Sequence, residues 1–416
     1  MDNVQVSEAA IGTGDRSRPR AALPALCATQ ITSWGIVYYA FPVLNPQIAA
    51  ATGWSTTATT AAFSGALLIS ALTGIPVGRI LDRRGPRAVM TTGSVLGAVA
   101  LLAIAHAPNL LTFTVAWLLA GMSMAATFYQ PAFAAVTRWW GEQRVRALTV
   151  VTLAGGLAST AFAPLTAALS EHFSWRTTYT LLAALLASVT IPAHALALRA
   201  PWPPAPMPHV RTADGNRSVV RSRPFLLLAA ALTLNSFAMY AVVIALVPLL
   251  IVRGFSPTAA AWALGLGGAG QTLGRTLYAS LVRCTSVTSR TVLLISAGGA
   301  TTVALALVPG PYPLLLALAI GAGMVRGNLT LLQATAVTDR WGATHYGRLS
   351  AVLAAPATIA GALAPFAGAA LARELGGYAS LFAVLAVTSF AAAVLAAGSG
   401  HGLAQAKAKQ RNALRL

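Results

Sequence analysis

Apolar residues occur in long runs along the whole chain of 416 residues, and short polar segments separate one run from the next. A helix needs about 20 apolar residues to cross the hydrocarbon core of a bilayer. Because the apolar residues are consecutive and do not alternate with polar ones, the runs predict helices and not barrel strands. Runs of this size occupy residues 21–48, 58–81, 88–106, 110–137, 147–170, 177–198, 225–252, 258–281, 291–309, 313–338, 348–371 and 380–397. They predict an all-α membrane protein with twelve transmembrane helices.

The composition agrees with many membrane spans. Hydrophobic residues make up 56% of the chain and charged residues only 9%, and the mean hydropathy is +0.70. A soluble domain is about a quarter charged. The net charge of +19 does not predict a nucleic-acid partner, because the basic residues lie in the gaps between apolar runs. Two distant cysteines, Cys27 and Cys284, predict neither a disulfide framework nor a metal site.

The basic residues also divide the polar gaps into two groups. If the N-terminus is cytoplasmic, the gaps on that side contain most of the arginines, and those on the other side contain only Arg176, Arg253 and Arg373. Positive residues concentrate in cytoplasmic loops. We therefore expect both termini in the cytoplasm of a bacterial cell, with the helices in its cytoplasmic membrane.

A polar, proline-rich and basic stretch at 199–224 is the longest gap between predicted helices. Such a composition is typical of a linker. It predicts two six-helix bundles, residues 21–198 and 225–397, with cytoplasmic tails at 1–20 and 398–416. The first tail lacks a signal-peptide pattern, so we expect it to be disordered and the first helix to be retained.

The two predicted bundles resemble each other in sequence. The segment GWSTTATTAAF at 53–63 aligns with GFSPTAAAWAL at 254–264, an offset of 201 residues. The same offset relates Trp140-Gly141 to Trp341-Gly342, Ala163-Pro164 to Ala364-Pro365, and Tyr39 to Tyr240. Several matches at one spacing indicate a duplicated six-helix unit, as in transporters whose halves move about a site between them.

A short motif joins the second and third predicted helices: residues 74–87 read GIPVGRILDRRGPR. Its residues Gly78, Asp82, Arg83, Gly85 and Arg87 resemble the loop signature of the major facilitator superfamily. The resemblance implies the twelve-helix fold of that superfamily and a gating role for this loop as access alternates. Asp82 is placed to favour a helix N-terminus, and Gly85 permits a tight turn. Pro86 replaces a residue that is usually basic in the family, which implies a weaker latch.

Shorter motifs are similar to those of monocarboxylate transporters and oxalate–formate exchangers. They are SWG at 33–35, GWS at 53–55, RWW at 138–140, and Arg275 in the eighth predicted helix. The chain departs from the patterns of these two families at two positions, which bear on the mode of coupling and on the exact substrate. Gln271 stands where monocarboxylate carriers tend to have an acid, and the eleventh predicted helix lacks the lysine of oxalate carriers.

Charge inside the predicted helices is cationic. All nine acidic residues fall in the tails or gaps. Arg326 lies near the middle of the tenth predicted helix, where an unpaired arginine costs about 2.5–3.5 kcal/mol on insertion scales. Thr330 and Gln333 follow it at helical spacing, and Gln271 precedes Arg275 by one turn. The alternative for both arginines is a structural role, in which they bond backbone carbonyls or reach the interface.

Further polar and aromatic residues at helical spacing are candidates for the lining of a substrate cavity. They are Gln30, Trp34 and Tyr38 in the first predicted helix, Tyr129 and Gln130 in the fourth, and Asn235 and Tyr240 in the seventh. Interhelical packing is an equal alternative for these residues. Together with the arginines they predict a cavity that attracts an anion, because a carboxylate would supply the missing counter-ion.

The favoured hypothesis is a monomeric secondary transporter that moves a small organic anion, a monocarboxylate, by alternating access. The alternative is efflux of hydrophobic drugs or metabolites. A membrane-embedded enzyme is not favoured, because no nucleophile, carboxylate pair or metal cluster lies within a predicted helix. We expect no cofactor and no metal.

Overall fold

In the computed structural model, residues 19–202, 219–341 and 346–413 are described, without the side chains of residues 142, 346–348 and 401–413. The described residues confirm the twelve predicted helices. In chain order these are α1 (Ala22–Ser33, Trp34–Tyr39 and Ala40–Thr52), α2 (Thr56–Arg84), α3 (Pro86–Ala105), α4 (Leu110–Thr127 and Tyr129–Trp140), α5 (Arg144–Gly156 and Ala158–His172), α6 (Trp175–Ala197), α7 (Arg223–Val252), α8 (Pro257–Cys284), α9 (Val287–Leu307), α10 (Tyr312–Thr335), α11 (Tyr346–Glu374) and α12 (Tyr378–Ala413).

Ten of the described helices are long and apolar enough to cross a membrane. The other two, α1 and α8, both contain residues that the sequence predicts to bind substrate. Helix α1 includes a π-helical segment at Trp34–Tyr39, and π-helical insertions are frequent at functional sites. Helix α8 contains Gln271 and Arg275 among its buried residues.

The helices form two pseudo-symmetric six-helix bundles, α1–α6 and α7–α12, as predicted. Two turns related by the internal repeat have the same local structure. Gly53 and Gly254 both have positive φ, 74° and 87°. In the next residues, the hydroxyls of Ser55 and Ser256 accept hydrogen bonds from backbone N–H groups three residues later, at 3.2 and 3.1 Å. Both serines thereby cap the helix that follows.

The ends of the helices define two faces of the molecule. The terminal face is the one with Pro19, Gly85, Gly141 and Pro201, on the side from which the chain enters α1. The opposite face contains Gly53, Ala107, Phe173, Gly254 and Leu375. Much of the predicted linker, the predicted N-terminal tail up to residue 18 and residues 414–416 lie outside the described residues. Helix α12 continues past the boundary predicted at residue 397 and ends at Ala413.

The bundles are closely packed in the half of the molecule next to the opposite face. Phe41, Phe63 and Trp117 fill this part of the first bundle, and the rings of Phe41 and Phe63 stack at 4.4 Å. Between the bundles, the backbone N–H of Phe366 in α11 donates to the hydroxyl of Ser64 in α2 at 3.0 Å. These contacts close the cleft on this side, so that the space between the bundles lies towards the terminal face.

Candidate functional site

A cavity of about 480 Å³ lies between the two bundles. Helices α1, α2 and α4 line it on one side and α7, α10 and α11 on the other. The cavity extends from Tyr38 and Tyr240 towards Gln333 and Ser350, which lie near the terminal-face ends of α10 and α11. Six of the predicted binding residues are among its lining residues: Trp34, Tyr38, Tyr129, Gln130, Tyr240 and Gln333.

A break in α4 shapes the first-bundle wall of this cavity. Pro131 has no N–H and cannot bond the carbonyl of Thr127, four residues earlier. The chain becomes extended at Phe128, with ψ at −160°, and the freed Thr127 carbonyl accepts a hydrogen bond from Gln30 Nε2 at 2.7 Å. Gln30 is fully buried, so it lies behind the wall and holds the break in place instead of lining the cavity.

Aromatic rings cover this wall. Phe128, which the break projects into the cavity, stacks on Trp34 with ring centroids 4.1 Å apart and an angle of 23°. Tyr129 is 5.3 Å from the ring of Trp34 and stacks on Phe133 at 5.1 Å. Contacts of this geometry are favourable for aromatic pairs. The rings of α1 and α4 therefore form one continuous apolar surface.

The opposite wall has a guanidinium beside it. Arg326 in α10 donates from Nε to Oε1 of Gln271 in α8 at 2.8 Å. Its Nη2 atom is buried and has no hydrogen-bond partner. The guanidinium interacts electrostatically with Tyr38 and Tyr240, one residue from each bundle and both part of the cavity lining. Arg326 is among the lining residues of a smaller cavity inside the second bundle and not among those of the central cavity, and its Nη2 has donor capacity that the described residues leave unused.

Glycines bring Gln271 and Arg326 together. In α8, Gly270 and Gly274 bracket Gln271; in α10, Gly323 and Gly327 bracket Arg326. A Cβ atom at any of these four positions would lie 1.9–2.2 Å from a backbone oxygen of the other helix. Only glycine permits so close an approach, which is the small-residue packing typical of membrane helices. The backbone contact fixes the spacing at which the 2.8 Å bond forms.

Arg275, the second predicted cation, reaches the other bundle. Its Nη1 donates to the backbone carbonyl of Thr152 in α5, and Thr272 donates to the Leu153 carbonyl at 3.4 Å. The guanidinium also contacts the hydroxyl of Tyr129, whereas its Nε is buried without a partner. Arg275 is 6% exposed. It therefore touches the cavity through Tyr129 and connects the two bundles.

Asn235 and Thr330 are two of the six predicted binding residues that are not among the lining residues of the central cavity. Asn235 lines a separate cavity of about 50 Å³ among α7, α9, α10 and α12, which part of Arg326 also lines. The hydroxyl of Thr330 donates to the carbonyl of Arg326, one turn earlier, at 3.0 Å. In this conformation both residues are part of the second bundle's interior and not of the central wall.

Carboxylates within the described side chains are confined to the ends of helices, as the sequence predicts. They are Asp82, Glu171, Asp339 and Glu374. Asp339 accepts from Arg290 Nη2 at 2.8 Å, next to Arg340. Burial lowers the pKa of the Arg340 guanidinium to about 10. The cations near the cavity, Arg275 and Arg326, have no such carboxylate partner among the described residues.

Comparison with known proteins identifies the family. The model of the Major Facilitator Superfamily matches residues 26–324. The chain belongs to the Major Facilitator Superfamily. It is a multi-pass membrane transporter and not an enzyme.

Relatives within this superfamily include proteins named as monocarboxylate transporters. Monocarboxylate transporter 13 of Bos taurus is 31% identical over 208 residues, 49% of this chain and 47% of that protein. Monocarboxylate transporter 11 of Homo sapiens is 30% identical over 200 residues, 47% of this chain and 42% of that protein. The chain thus spans about half the length of the curated relatives it matches.

Solved structures of superfamily members share the fold over nearly the whole chain. A mutant of the nucleoside transporter NupG has a TM-score of 0.73 at 13% identity and covers 92% of this chain and 99% of its own. A bacterial homologue of the human lysosomal transporter Spinster, solved inward-facing and unoccupied, has a TM-score of 0.69 at 15% identity. It covers 94% of this chain and 97% of its own.

The superfamily loop between α2 and α3 is held from several sides. Asp82 forms an ion pair with Arg138 at the end of α4, and Arg87 donates to the Ala195 carbonyl at 2.9 Å. Gly85 turns the chain with φ at 78°. The contacts described for Asp82 and Arg87 are with the first bundle and with the start of the linker. Gly78 and Arg83 lie beside them, partly or fully exposed.

Trp202, at the start of the linker, completes this cluster and was missed in the sequence. Its indole N–H donates to the backbone carbonyl of Asp82 at 3.1 Å, and the Arg138 guanidinium lies 4.4 Å from its ring centre. Phe128 in the cavity was also missed. Pro131 gives a signal for Phe128, since a proline inside a helix frees a carbonyl and breaks the helix before it; Trp202 has no comparable signal.

Proposed function

We propose that this superfamily transporter moves a small organic anion, a monocarboxylate, across the bacterial cytoplasmic membrane by alternating access. The carboxylate binds next to Arg326, and Trp34, Tyr38 and Tyr240 surround the apolar part. Arg275 adds positive potential through Tyr129. The names of the relatives support a monocarboxylate as cargo.

The observation that carries this proposal is the unbalanced charge of Arg326. Arg326 is half-buried, and its buried Nη2 atom favours an acceptor of opposite charge, because burying the unpaired part of an ion is costly. Gln271 supplies one neutral acceptor for Nε, whereas Nη2 has none. A carboxylate supplies two oxygens and one negative charge, which matches the fork of donors on a guanidinium. The cargo itself is the missing counter-ion.

The orientation follows from the basic gaps, which place the terminal face in the cytoplasm. The cavity lies on that side of the closed contacts between Ser64 and Phe366. On this assignment the conformation is open to the cytoplasm, ready to release or accept cargo there. We assign the working unit to the monomer, because the cavity is formed within one chain.

The test is a counterflow assay with purified protein in proteoliposomes. A monocarboxylate is expected to exchange in a saturable manner, and its uncharged amide is not. Arg326→Gln removes the charge and should abolish saturable flux. The variant should still fold, because the substitution also removes the cost of placing a charge inside the membrane. Arg373→Gln, on an exposed side chain paired with Glu374, is the matched control. Undiminished flux in Arg326→Gln contradicts the proposal.

The alternative function is efflux of hydrophobic drugs or metabolites. The observation in its favour is the apolar and aromatic lining of a 480 Å³ cavity, which falls in the range of drug-sized pockets. The same Arg326→Gln variant separates the two functions. Drug resistance that survives this substitution, together with no exchange of carboxylates, supports efflux.

A further inference from the structure

The two bundles, although related by duplication, contribute different chemistry to the central cavity. At the 201-residue offset, the polar residues of the second bundle correspond to small residues of the first: Arg326 to Ala125, Gln271 to Ser70, and Arg275 to Gly74. Ala125 and Ser70 line the cavity. The first bundle therefore has methyl, hydroxymethyl and hydrogen side chains at the positions where the second has two cations and a neutral carboxamide.

Aromatic residues show the reverse distribution. Residues of the first-bundle ring surface correspond to aliphatic or polar residues of the second: Trp34 to Asn235, Phe128 to Leu329, and Tyr129 to Thr330. Among the described side chains that line the cavity, Tyr240 is the one ring from the second bundle. Its counterpart is Tyr39, and the two tyrosines interact where the bundles meet. The lining of the central cavity is thus aromatic on the side of the first bundle, whereas the cations Arg275 and Arg326 belong to second-bundle helices and are not themselves lining residues.

We propose that the cargo is a ring-bearing monocarboxylate that lies across the cleft in one orientation, with its carboxylate towards the second bundle and its ring on the first. This inference rests on the proposed function, since it assumes an anion at Arg326. The ring stacks beside Trp34 and Phe128, whose own stacking at 4.1 Å presents a flat apolar surface. A contact of this kind contributes about a tenfold gain in affinity.

The same asymmetry disfavours two other classes of carboxylate. A short acid such as acetate reaches the cation but leaves the ring surface and most of the 480 Å³ volume unused. A dicarboxylate places its second charge beside the stacked rings of Trp34 and Phe128, for which no contact with a cation is described. Burying that charge without a partner is costly. The cavity therefore selects for one charge and one ring.

The experiment compares four probes that differ in one feature each: phenylacetate, acetate, phenylacetamide and 1,4-phenylenediacetate. The affinity of each probe for the purified, full-length protein in nanodiscs is measured. Phenylacetate is expected to bind at least tenfold more tightly than acetate, and more tightly than the dicarboxylate. Trp34→Leu should remove most of that advantage and leave acetate unchanged. Trp262→Leu, at a tryptophan that is 46% exposed on α8, is the matched control and should leave the order unchanged.

Each outcome has a distinct meaning. If acetate or the dicarboxylate binds as tightly as phenylacetate, the ring-and-charge selectivity is wrong, and the anion requirement stands. If phenylacetamide equals phenylacetate, the proposed function fails instead, because charge then plays no part. If none of the acids binds, both fail. The series in the wild-type protein decides the proposal even if Trp34→Leu does not fold.

Discussion

The glycine contact between α8 and α10 makes a quantitative prediction for Gly323→Ala. A Cβ atom at this position would lie 1.9 Å from the carbonyl oxygen of Gly267, whereas ordinary contact begins at 3.4 Å. The helices must therefore separate by about 1.5 Å, the difference between these distances. A shift of this size takes the 2.8 Å bond between Gln271 and Arg326 out of hydrogen-bonding range.

The energetic consequences of Gly323→Ala have opposite signs. Within a helix, alanine is about 1 kcal/mol more stabilising than glycine. Overpacking destabilises the protein by about 1–3 kcal/mol, which outweighs that gain, so we expect a net loss of stability. Loss of the bond that orients the guanidinium costs about 1.5–3 kcal/mol of carboxylate binding. That is a tenfold or greater rise in Kd. Thermal unfolding and carboxylate binding of the purified protein measure the two effects separately.

The matched control is Gly321→Ala, two residues earlier in the same helix. A Cβ atom there has no neighbour within 4 Å, so the helix gains propensity without strain. We expect wild-type affinity and equal or greater thermal stability. The reasoning is refuted if Gly323→Ala behaves like Gly321→Ala in both assays, because the close contact would then not set the position of Arg326.

Two further substitutions test the contacts around the site. Arg275→Gln removes the bond to the Thr152 carbonyl, worth about 1.5–3 kcal/mol, and should shift the cargo-free protein away from the conformation open at the terminal face. Distances between spin labels on α5 and α8 measure that shift, and an unchanged distribution contradicts it. Asp82→Asn breaks an ion pair whose acid is 60% exposed, so thermal stability should change by less than about 1 kcal/mol while the rate of counterflow falls. A large loss of stability, or an unchanged rate, contradicts the gating role of the loop.

The sequence predicts the helices well, because apolar length and polar interruption are local properties of the chain. It also predicts that Arg326 lies deep in its helix. The partners of the arginines are not local. Arg275 bonds Thr152, which is 123 residues away in the chain, and no periodicity within one helix specifies how two bundles face each other. The sequence predicts Asn235 in the substrate cavity, whereas the structure places it in the smaller cavity of the second bundle, for the same reason.

Gln30 illustrates a long-range contact for which the sequence does contain a physical cause. From the sequence, cavity lining and interhelical packing are equal alternatives for the polar stripe in α1. The structure supports packing for Gln30, since its amide bonds the carbonyl that Pro131 leaves free. Trp34, one turn later, faces the cavity. The stripe therefore has two roles: Gln30 packs against a neighbour with a free backbone carbonyl, and Trp34 lines the cavity.

The duplicated halves explain why a buried cation is tolerated in this fold. The two halves share features that set backbone geometry, such as the capped turns at Gly53 and Gly254, and differ at the cavity positions. Charge accumulated on the helices that glycines hold in direct backbone contact. A rigid contact keeps the guanidinium donors in place without cargo, so binding requires little rearrangement of the second bundle. Under the proposed function, the first bundle contributes aromatic surface and the second contributes charge, and movement of one against the other carries the anion across.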